Sequence, residues 1–152
     1  HMYGAGRYYL ADAFNEMLPP VGGGHDGSRN VSTATRDRRL AAYGKAMYTS
    51  IADAVPGATW VIQSWTFGAD SRFWQPEAVA AFLRDVPDDR MLVLDIGNDR
   101  YADVWKQTRA FAGKRWIYGY IYNYGGSNPV YGDLGYYRDD IAALTARKDT
   151  GH

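Results

Sequence analysis

The stretch "TWVIQSW", Thr59 to Trp65, is a short apolar run that ends in a glutamine, a serine and a second tryptophan. It is too short for an independent helix and rich in branched and aromatic residues, which is typical of a buried strand. Three further runs share these features and are predicted to be strands: Tyr8–Phe14, Met91–Ile96 and Trp116–Tyr122. Their nearly continuous apolarity favours a parallel sheet that is covered on both faces.

Helical periodicity follows each predicted strand. Apolar residues recur at helical spacing over Thr33–Val55 and Tyr101–Ala112 and, more weakly, over Tyr137–Arg147. Pro76 is placed to occupy the first turn of another helix, which Pro87 closes. Four βα units in succession predict an α/β fold with parallel strands and right-handed crossovers. In such folds the carboxyl ends of the strands, with the loops beyond them, carry the functional site.

Charge and composition exclude several functional classes. Lys plus Arg and Asp plus Glu number 17 each, so no net field favours nucleic acid or an anionic membrane. No apolar run approaches the roughly 20 residues of a membrane span. Cysteine is absent, the three histidines lack metal-ligand spacing, and no phosphate or dinucleotide fingerprint occurs, so neither a metal nor a cofactor is expected. The initial His1-Met2 is interpreted as a remnant of cloning.

Aromatic side chains are abundant, with 13 Tyr, 5 Trp and 5 Phe making up 15% of the chain. One interpretation is a bulky core. The other is a saccharide site, in which ring faces meet the C–H faces of sugars and polar tips make hydrogen bonds. Composition does not choose between these two interpretations.

Polar and aromatic residues stand at the ends of the predicted strands, which share one rim in a parallel sheet. The candidate site residues are Asn15, Glu16, Gln63, Trp65, Asp95, Tyr122 and Asn123. A carboxylate, amides, an indole and phenols in one cleft would suit a sugar, because a glycosidic oxygen needs a proton donor and ring hydroxyls need polar partners. Three of these residues also have a simpler interpretation: Glu16 as a helix cap or solvated charge, Trp65 as a core residue, and Asp95 as a cap.

Four segments in one order carry a resemblance. "ADAFNEMLPP", "WVIQSWTF", "FWQPEAVAAFLRDVPDDRMLVLDI" and "NYGGSNPVYG" resemble glycoside hydrolase family 89, the α-N-acetylglucosaminidases. The resemblance runs from about Leu10 to Tyr136. It implies a barrel glycosidase that acts on glycans with terminal α-linked N-acetylglucosamine, and an extracellular or lysosomal location.

The resemblance also assigns roles. It makes Glu16 the general acid/base of a retaining mechanism, and makes Trp65 and Asn123 residues of the sugar pocket. Gln63 matches its motif, with a less definite contact. Tyr122 stands where many members carry histidine. The nucleophilic glutamate of the family lies in a downstream glycine-rich segment that does not occur in these 152 residues.

The length predicts an incomplete architecture. A complete (β/α)8 TIM barrel needs about 200 to 250 residues, and four βα units in 152 residues are interpreted as a partial barrel from a longer catalytic domain. Such a piece would expose the inner sheet face and two strand edges, which favours self-association. It would lack turnover without the nucleophile. Two alternatives stay open: a barrel glycosidase of other specificity, and a non-catalytic carbohydrate-binding module.

Overall fold

The computed structural model describes residues 4–14, 16–22, 31–98, 100–119 and 133–147. Within these ranges the sheet has four strands: β1 (Tyr8–Leu10), β2 (Thr59–Gln63), β3 (Met91–Asp95) and β4 (Trp116–Tyr118). All pairings are parallel, and the spatial order β1-β2-β3-β4 is the order along the chain. The predicted α/β fold with consecutive βα units and a parallel sheet is confirmed.

The strands end earlier than the sequence predicted, β3 by one residue at Asp95 rather than Ile96. β1 ends at Leu10 rather than at Phe14, and from there the chain bends into a turn. β2 ends at Gln63 because Ser64 begins a short helix, α2 (Trp65–Ala69), which the sequence analysis did not predict. The predicted end of β4 at Tyr122 lies outside the described residues.

The longer helices are α1 (Thr33–Ala54), α3 (Pro76–Leu83) and α6 (Leu134–Ala146). All three overlap the predicted helices, and α6 begins three residues earlier than the predicted start at Tyr137. A 3-10 turn, Asp88–Arg90, precedes β3. The single helix predicted over Tyr101–Ala112 is wrong, because this segment forms two short turns, α4 (Val104–Gln107) and α5 (Arg109–Ala112).

The break between α4 and α5 has a structural cause. All four residues of α5 have φ between 52° and 55°, the left-handed region that costs non-glycine residues roughly 1–2 kcal/mol each. The turn buries Phe111 completely, with its ring centroid 5.5 Å from that of Trp116. Gly113, with φ of 83°, ends the turn in the left-handed conformation that glycine adopts easily. Burial of the Phe111 ring offsets part of the backbone strain.

The two faces of the sheet differ in exposure. Helices cover one face, where alternate strand positions are buried: Trp60, Ile62, Met91, Val93 and Trp116. On the other face Tyr8, Leu10 and Ile117 are 54%, 58% and 50% exposed. Thr59 and Val61 of β2 lie on the same face and are buried. Among the described residues this second face, called the open face, is therefore exposed along the edge strands, and the expected cover on both faces is found along β2 but not at those edges. One covered and one open face are what the wall of a partial barrel presents.

Aromatic rings fill the space between the sheet and its helices. Phe82 of α3 lies at their centre, with ring centroids 5.4 Å from Trp74, 5.9 Å from Trp60 and 6.4 Å from Phe67. These contacts are edge-on, the arrangement that aromatic quadrupoles favour. A large share of the aromatic content therefore serves the core.

A buried carboxylate attaches α6 to the rest of the domain. Asp140 accepts hydrogen bonds from Trp105 Nε1 at 3.2 Å and from the Tyr118 hydroxyl at 3.1 Å, and it pairs with Lys106 Nζ at 2.7 Å. Burial raises the pKa of Asp140, but these three donors outweigh it and hold the pKa below its ordinary value. The helix is thus fixed against α4 and β4 by a satisfied charge.

The contact between α1 and α3 predicts one stability effect. Gly44 of α1 lies so close to α3 that an added Cβ would overlap the carbonyl oxygen of Phe82. Replacing an interior helical glycine with alanine normally stabilises by roughly 0.5–1 kcal/mol, but here Gly44→Ala should destabilise by about 3 kcal/mol through overpacking. Urea denaturation measures the difference. Ser50→Ala, at an exposed position of α1, is the control and should stay within about 0.5 kcal/mol of wild type. A stabilised Gly44→Ala variant would contradict the predicted overlap.

Candidate active site

A cleft of about 470 Å³ lies where the chain leaves the sheet. Its wall is built by the segments that follow β1, β2 and β3, so it stands at the carboxyl ends of the strands. The lining residues are Phe14, Glu16, Met17, Leu18, Trp65, Thr66, Ala69, Asp70, Trp74, Arg100 and Tyr101. The volume falls within the usual range of small-ligand sites, roughly 300–1,000 Å³.

Glu16 reaches the cleft from a tight turn after β1. Met17 N donates to Phe14 O at 3.2 Å, and both Phe14 and Glu16 have positive φ, 58° and 55°. The Phe14 ring anchors the turn by packing edge-on against the ring of Tyr43, with the two ring centroids 5.2 Å apart. Glu16 itself is exposed among the described residues. Non-glycine residues in this strained conformation occur preferentially at functional sites.

Trp65 reaches the same cleft as the first residue of α2. The start of this helix is fixed from the sheet, since Ser64 N donates to Leu94 O at 2.9 Å and Phe67 N donates to Ser64 O at 2.8 Å. Trp65 is partly exposed, whereas Phe67 is buried. The turn of α2 therefore divides its aromatics between cleft and core.

Gln63 is held by a residue that the sequence analysis did not single out. Asp12 Oδ1 accepts from Gln63 N at 2.8 Å, and Asp12 Oδ2 accepts from Gln63 Nε2 at 2.7 Å. Gln63 is not among the residues that line the cleft, but it stands two positions before Trp65. The available signal was an aspartate inside an otherwise apolar run that was predicted to be a strand, because a buried strand rarely holds a carboxylate without a partner.

Asp95 is not among the residues that line the cleft. Its side chain is 1% exposed on the helix-covered side of the sheet, where Oδ1 accepts from Ser64 Oγ at 2.5 Å. Burial raises the pKa of Asp95 to about 6, against the lowering effect of the Ser64 and Asn98 hydrogen bonds. Its link to the cleft runs through Ser64, the residue before Trp65. The contact between Asp95 and a sugar that the sequence analysis expected stays a prediction.

The remaining candidates, Asn15, Tyr122 and Asn123, lie outside the described residues. Among the cleft residues that the sequence analysis did not single out are Asp70, Trp74, Arg100 and Tyr101. They stand in turns after α2 and β3 rather than at strand ends. Asp70 shows the local cause of its position, since its Oδ1 accepts from Phe73 N at 3.1 Å and closes the turn before α3.

The cleft wall carries unused hydrogen-bonding capacity. Thr66 Oγ1 and Trp74 Nε1 are buried and have no hydrogen-bond partner within the described part of the chain. Buried polar atoms are nearly always satisfied by protein, water or ligand. Two aromatic side chains, two carboxylates and a guanidinium, from Trp65, Tyr101, Glu16, Asp70 and Arg100, complete a wall that can meet both the apolar face and the hydroxyls of a sugar.

The described ranges show neither a metal-binding cluster nor a membrane-spanning helix. No group of three or more His, Asp or Glu side chains in these ranges is arranged to hold a metal ion. None of the helices there combines the length and the apolarity that crossing a bilayer requires.

Comparison with known proteins agrees with this architecture. Residues 1–151 match the family model of the alpha-N-acetylglucosaminidase (NAGLU) TIM-barrel domain. The chain is 32% identical over 132 residues to the human protein named alpha-N-acetylglucosaminidase, an alignment that covers 87% of this chain. The aligned part is 16% of the length of the human protein.

The parallel sheet with helices on one face defines part of an α/β barrel, with a cleft at the carboxyl ends of its strands. The match over nearly the whole chain specifies which one, and the chain belongs to the α-N-acetylglucosaminidase TIM-barrel family. The resemblance inferred from its four motifs is confirmed.

The buried Asp95 predicts a pH effect on stability. Because its pKa is raised in the folded state, to about 6 from 3.8, the folded chain holds this proton more tightly. The resulting stabilisation is complete below pH 3.8 and is lost as the pH rises to about 6. Asp95→Asn does not titrate, so it should become more stable relative to wild type between pH 4 and pH 7, by up to about 3 kcal/mol.

Urea denaturation at several pH values tests this effect, since titration of all other groups is common to both proteins. Asp85→Asn, which removes an exposed carboxylate, is the matched control and should follow the wild-type curve at every pH. Parallel curves for Asp95→Asn and wild type would contradict the prediction.

Proposed function

We propose that this chain supplies the acid/base half of the active site of an α-N-acetylglucosaminidase. In the enzyme that contains it, a terminal α-linked N-acetylglucosamine is removed from a glycan with retention of configuration. Glu16 first protonates the departing glycosidic oxygen and then deprotonates the water that releases the sugar. The chain contributes four βα units of the catalytic barrel.

The observation that supports this proposal most strongly is the presence of Glu16 and Trp65 in one cleft. They come from segments 49 positions apart in the sequence and meet because β1 and β2 are parallel neighbours. A carboxyl beside an aromatic face is the minimum arrangement for protonating a glycosidic oxygen while the sugar ring is held. The position of Glu16 at the surface of the described part leaves it accessible to a glycosidic oxygen.

Substrate contacts are proposed for the residues around this pair. Trp65 stacks on the sugar ring, and Asn15, Gln63, Tyr122 and Asn123 supply hydrogen bonds to its substituents. Asp95 acts on the site through Ser64, because its carboxylate accepts a hydrogen bond from the Ser64 hydroxyl and thereby holds the start of α2.

The glycosidase proposal is tested on the enzyme that contains this chain in full. Wild-type enzyme should hydrolyse 4-nitrophenyl α-N-acetylglucosaminide and leave the β-anomer intact. Glu16→Gln, which keeps the shape of the side chain and removes the acid, should lower kcat at least 100-fold. Glu77→Gln changes an exposed glutamate that pairs with Arg109 and is the matched control.

Each result assigns a different function. Hydrolysis of the β-anomer or of another aryl glycoside would assign the enzyme a different specificity. Sugar binding without turnover, unchanged in Glu16→Gln, would assign a non-catalytic carbohydrate-binding module.

The 152-residue chain alone should show no turnover of the same substrate. Retaining hydrolysis needs two carboxyl groups about 5–5.5 Å apart, and in this proposal the nucleophile comes from a segment that these residues do not include. Asp70, the other carboxylate of the described cleft wall, is engaged by the Phe73 N–H. Turnover by the chain that is abolished by Asp70→Asn or Asp95→Asn would identify a local nucleophile and contradict the proposal.

The isolated chain should also self-associate. Tyr8, Leu10 and Ile117 are exposed on the open sheet face, and apolar side chains on such a face are normally covered. Sedimentation equilibrium of the sample used for the turnover assay measures this. A monomer at millimolar concentration would contradict the proposed association.

A further inference from the structure

In the contact between Asp12 and Gln63, Gln63 donates both hydrogen bonds and Asp12 accepts both. This direction fixes the orientation of the Gln63 side-chain amide. Both oxygens of the Asp12 carboxylate accept from Gln63, one from the backbone N–H and one from the side-chain amide. A carboxylate offers acceptors only. The amide of Gln63 must therefore turn its NH₂ group toward Asp12, and its oxygen, Oε1, points away from Asp12.

The placement of Gln63 shows which side of the sheet this oxygen serves. Gln63 is in register with Leu94 and alternates with Ile62, which is buried under the helices. Strand side chains alternate between faces, so Gln63 belongs to the open face, which corresponds to the inside of the barrel. No hydrogen bond to Oε1 comes from the described residues.

We infer that Asp12 is a positioning residue that sets the polarity of Gln63 toward the substrate. By binding the amide NH₂, it makes Gln63 present a hydrogen-bond acceptor at the open face. The group that this acceptor recognises is a hydroxyl of the sugar that donates its proton. The inference rests on the proposed function, because it assigns the ligand of the same site.

An amide exchange of the Asp12 side chain tests the polarity without removing the contact. In Asp12→Asn the remaining oxygen still accepts from Gln63 N, while the new NH₂ group faces the Gln63 side chain. The Gln63 amide then has to flip so that Oε1 accepts, and it presents its NH₂ group to the sugar. The substrate hydroxyl must turn its proton away, so KM should rise roughly fivefold, with kcat and the melting temperature nearly unchanged.

A double variant should restore the acceptor. When Asp12→Asn is combined with Gln63→Glu, the NH₂ group introduced at position 12 donates to one oxygen of the new carboxylate, and the other oxygen faces the substrate. KM should return to within about twofold of wild type. A purely structural role for Asp12 predicts a different result, since a contact that survives in Asp12→Asn would leave KM unchanged. Asp85→Asn, at an exposed position outside the site, is the control and should leave both kinetic constants unchanged.

A substrate series tests the same point with wild-type enzyme. Aryl α-N-acetylglucosaminides in which one hydroxyl is replaced by fluorine keep a weak acceptor and lose the donor. One of them should raise KM in wild type and raise it less in Asp12→Asn, and that position identifies the hydroxyl. An unchanged KM in Asp12→Asn, or no recovery in the double variant, would overturn the inference.

Hydrogen exchange separates this inference from the proposed function. In the 152-residue chain, the side-chain amide protons of Gln63 should exchange at least tenfold faster in Asp12→Asn than in wild type, while the Gln63 backbone N–H stays protected. Equal side-chain exchange rates would refute the amide orientation whether or not the enzyme cleaves α-N-acetylglucosaminides. Absence of that cleavage with the expected exchange rates would refute the proposed function alone.

Discussion

The pairing of β2 with a parallel neighbour on each side determines most of what lies at the carboxyl end of the sheet. On one side it pairs with β1 and on the other with β3, so its end is fixed in both directions. The segment that carries Glu16 and the segment that carries Trp65 leave the sheet side by side for this reason. If β1 and β2 were antiparallel, their carboxyl termini, and the two segments that follow them, would lie at opposite ends of the sheet.

The alternation of side chains along β2 then decides what each polar residue does. Gln63 points to the open face, where Asp12 binds it, and Ser64 points to the covered face, where Asp95 accepts its hydroxyl. Two adjacent residues thus connect β2 to carboxylates on opposite sides of the sheet. The carboxylate on the covered side is buried and carries a raised pKa, because burial disfavours its charge.

The aromatic residues divide along the same geometry. Rings that face the helices pack around Phe82, and their edge-on contacts fill the core. Rings at the carboxyl end, such as Trp65 and Tyr101, line the cleft instead. Core packing therefore accounts for the rings around Phe82, whereas Trp65 and Tyr101 line the cleft for which we propose sugar binding.

The sequence by itself determined the fold class, the order of the four βα units and the family. Apolar runs and helical periodicity report burial, which depends on local pattern, and the spaced motifs are local as well. It also placed Glu16 and Trp65 at strand ends. Their presence in one cleft depends on which strands are neighbours, and only the tertiary structure settles that.

Three features could not be read from local pattern. The burial of Asp95 depends on which face of the sheet its side chain takes in the alternation along β3, and on the helices that cover that face. From the sequence alone, an aspartate at a strand end suited the cleft as well as it suited a buried position. The division of Tyr101–Ala112 into two turns depends on where the core accepts Phe111, and its left-handed backbone opposes local preference. The contact between Asp12 and Gln63 joins residues 51 positions apart. This contact stabilises the protein only when β1 and β2 are paired, so only the tertiary structure could show that it forms.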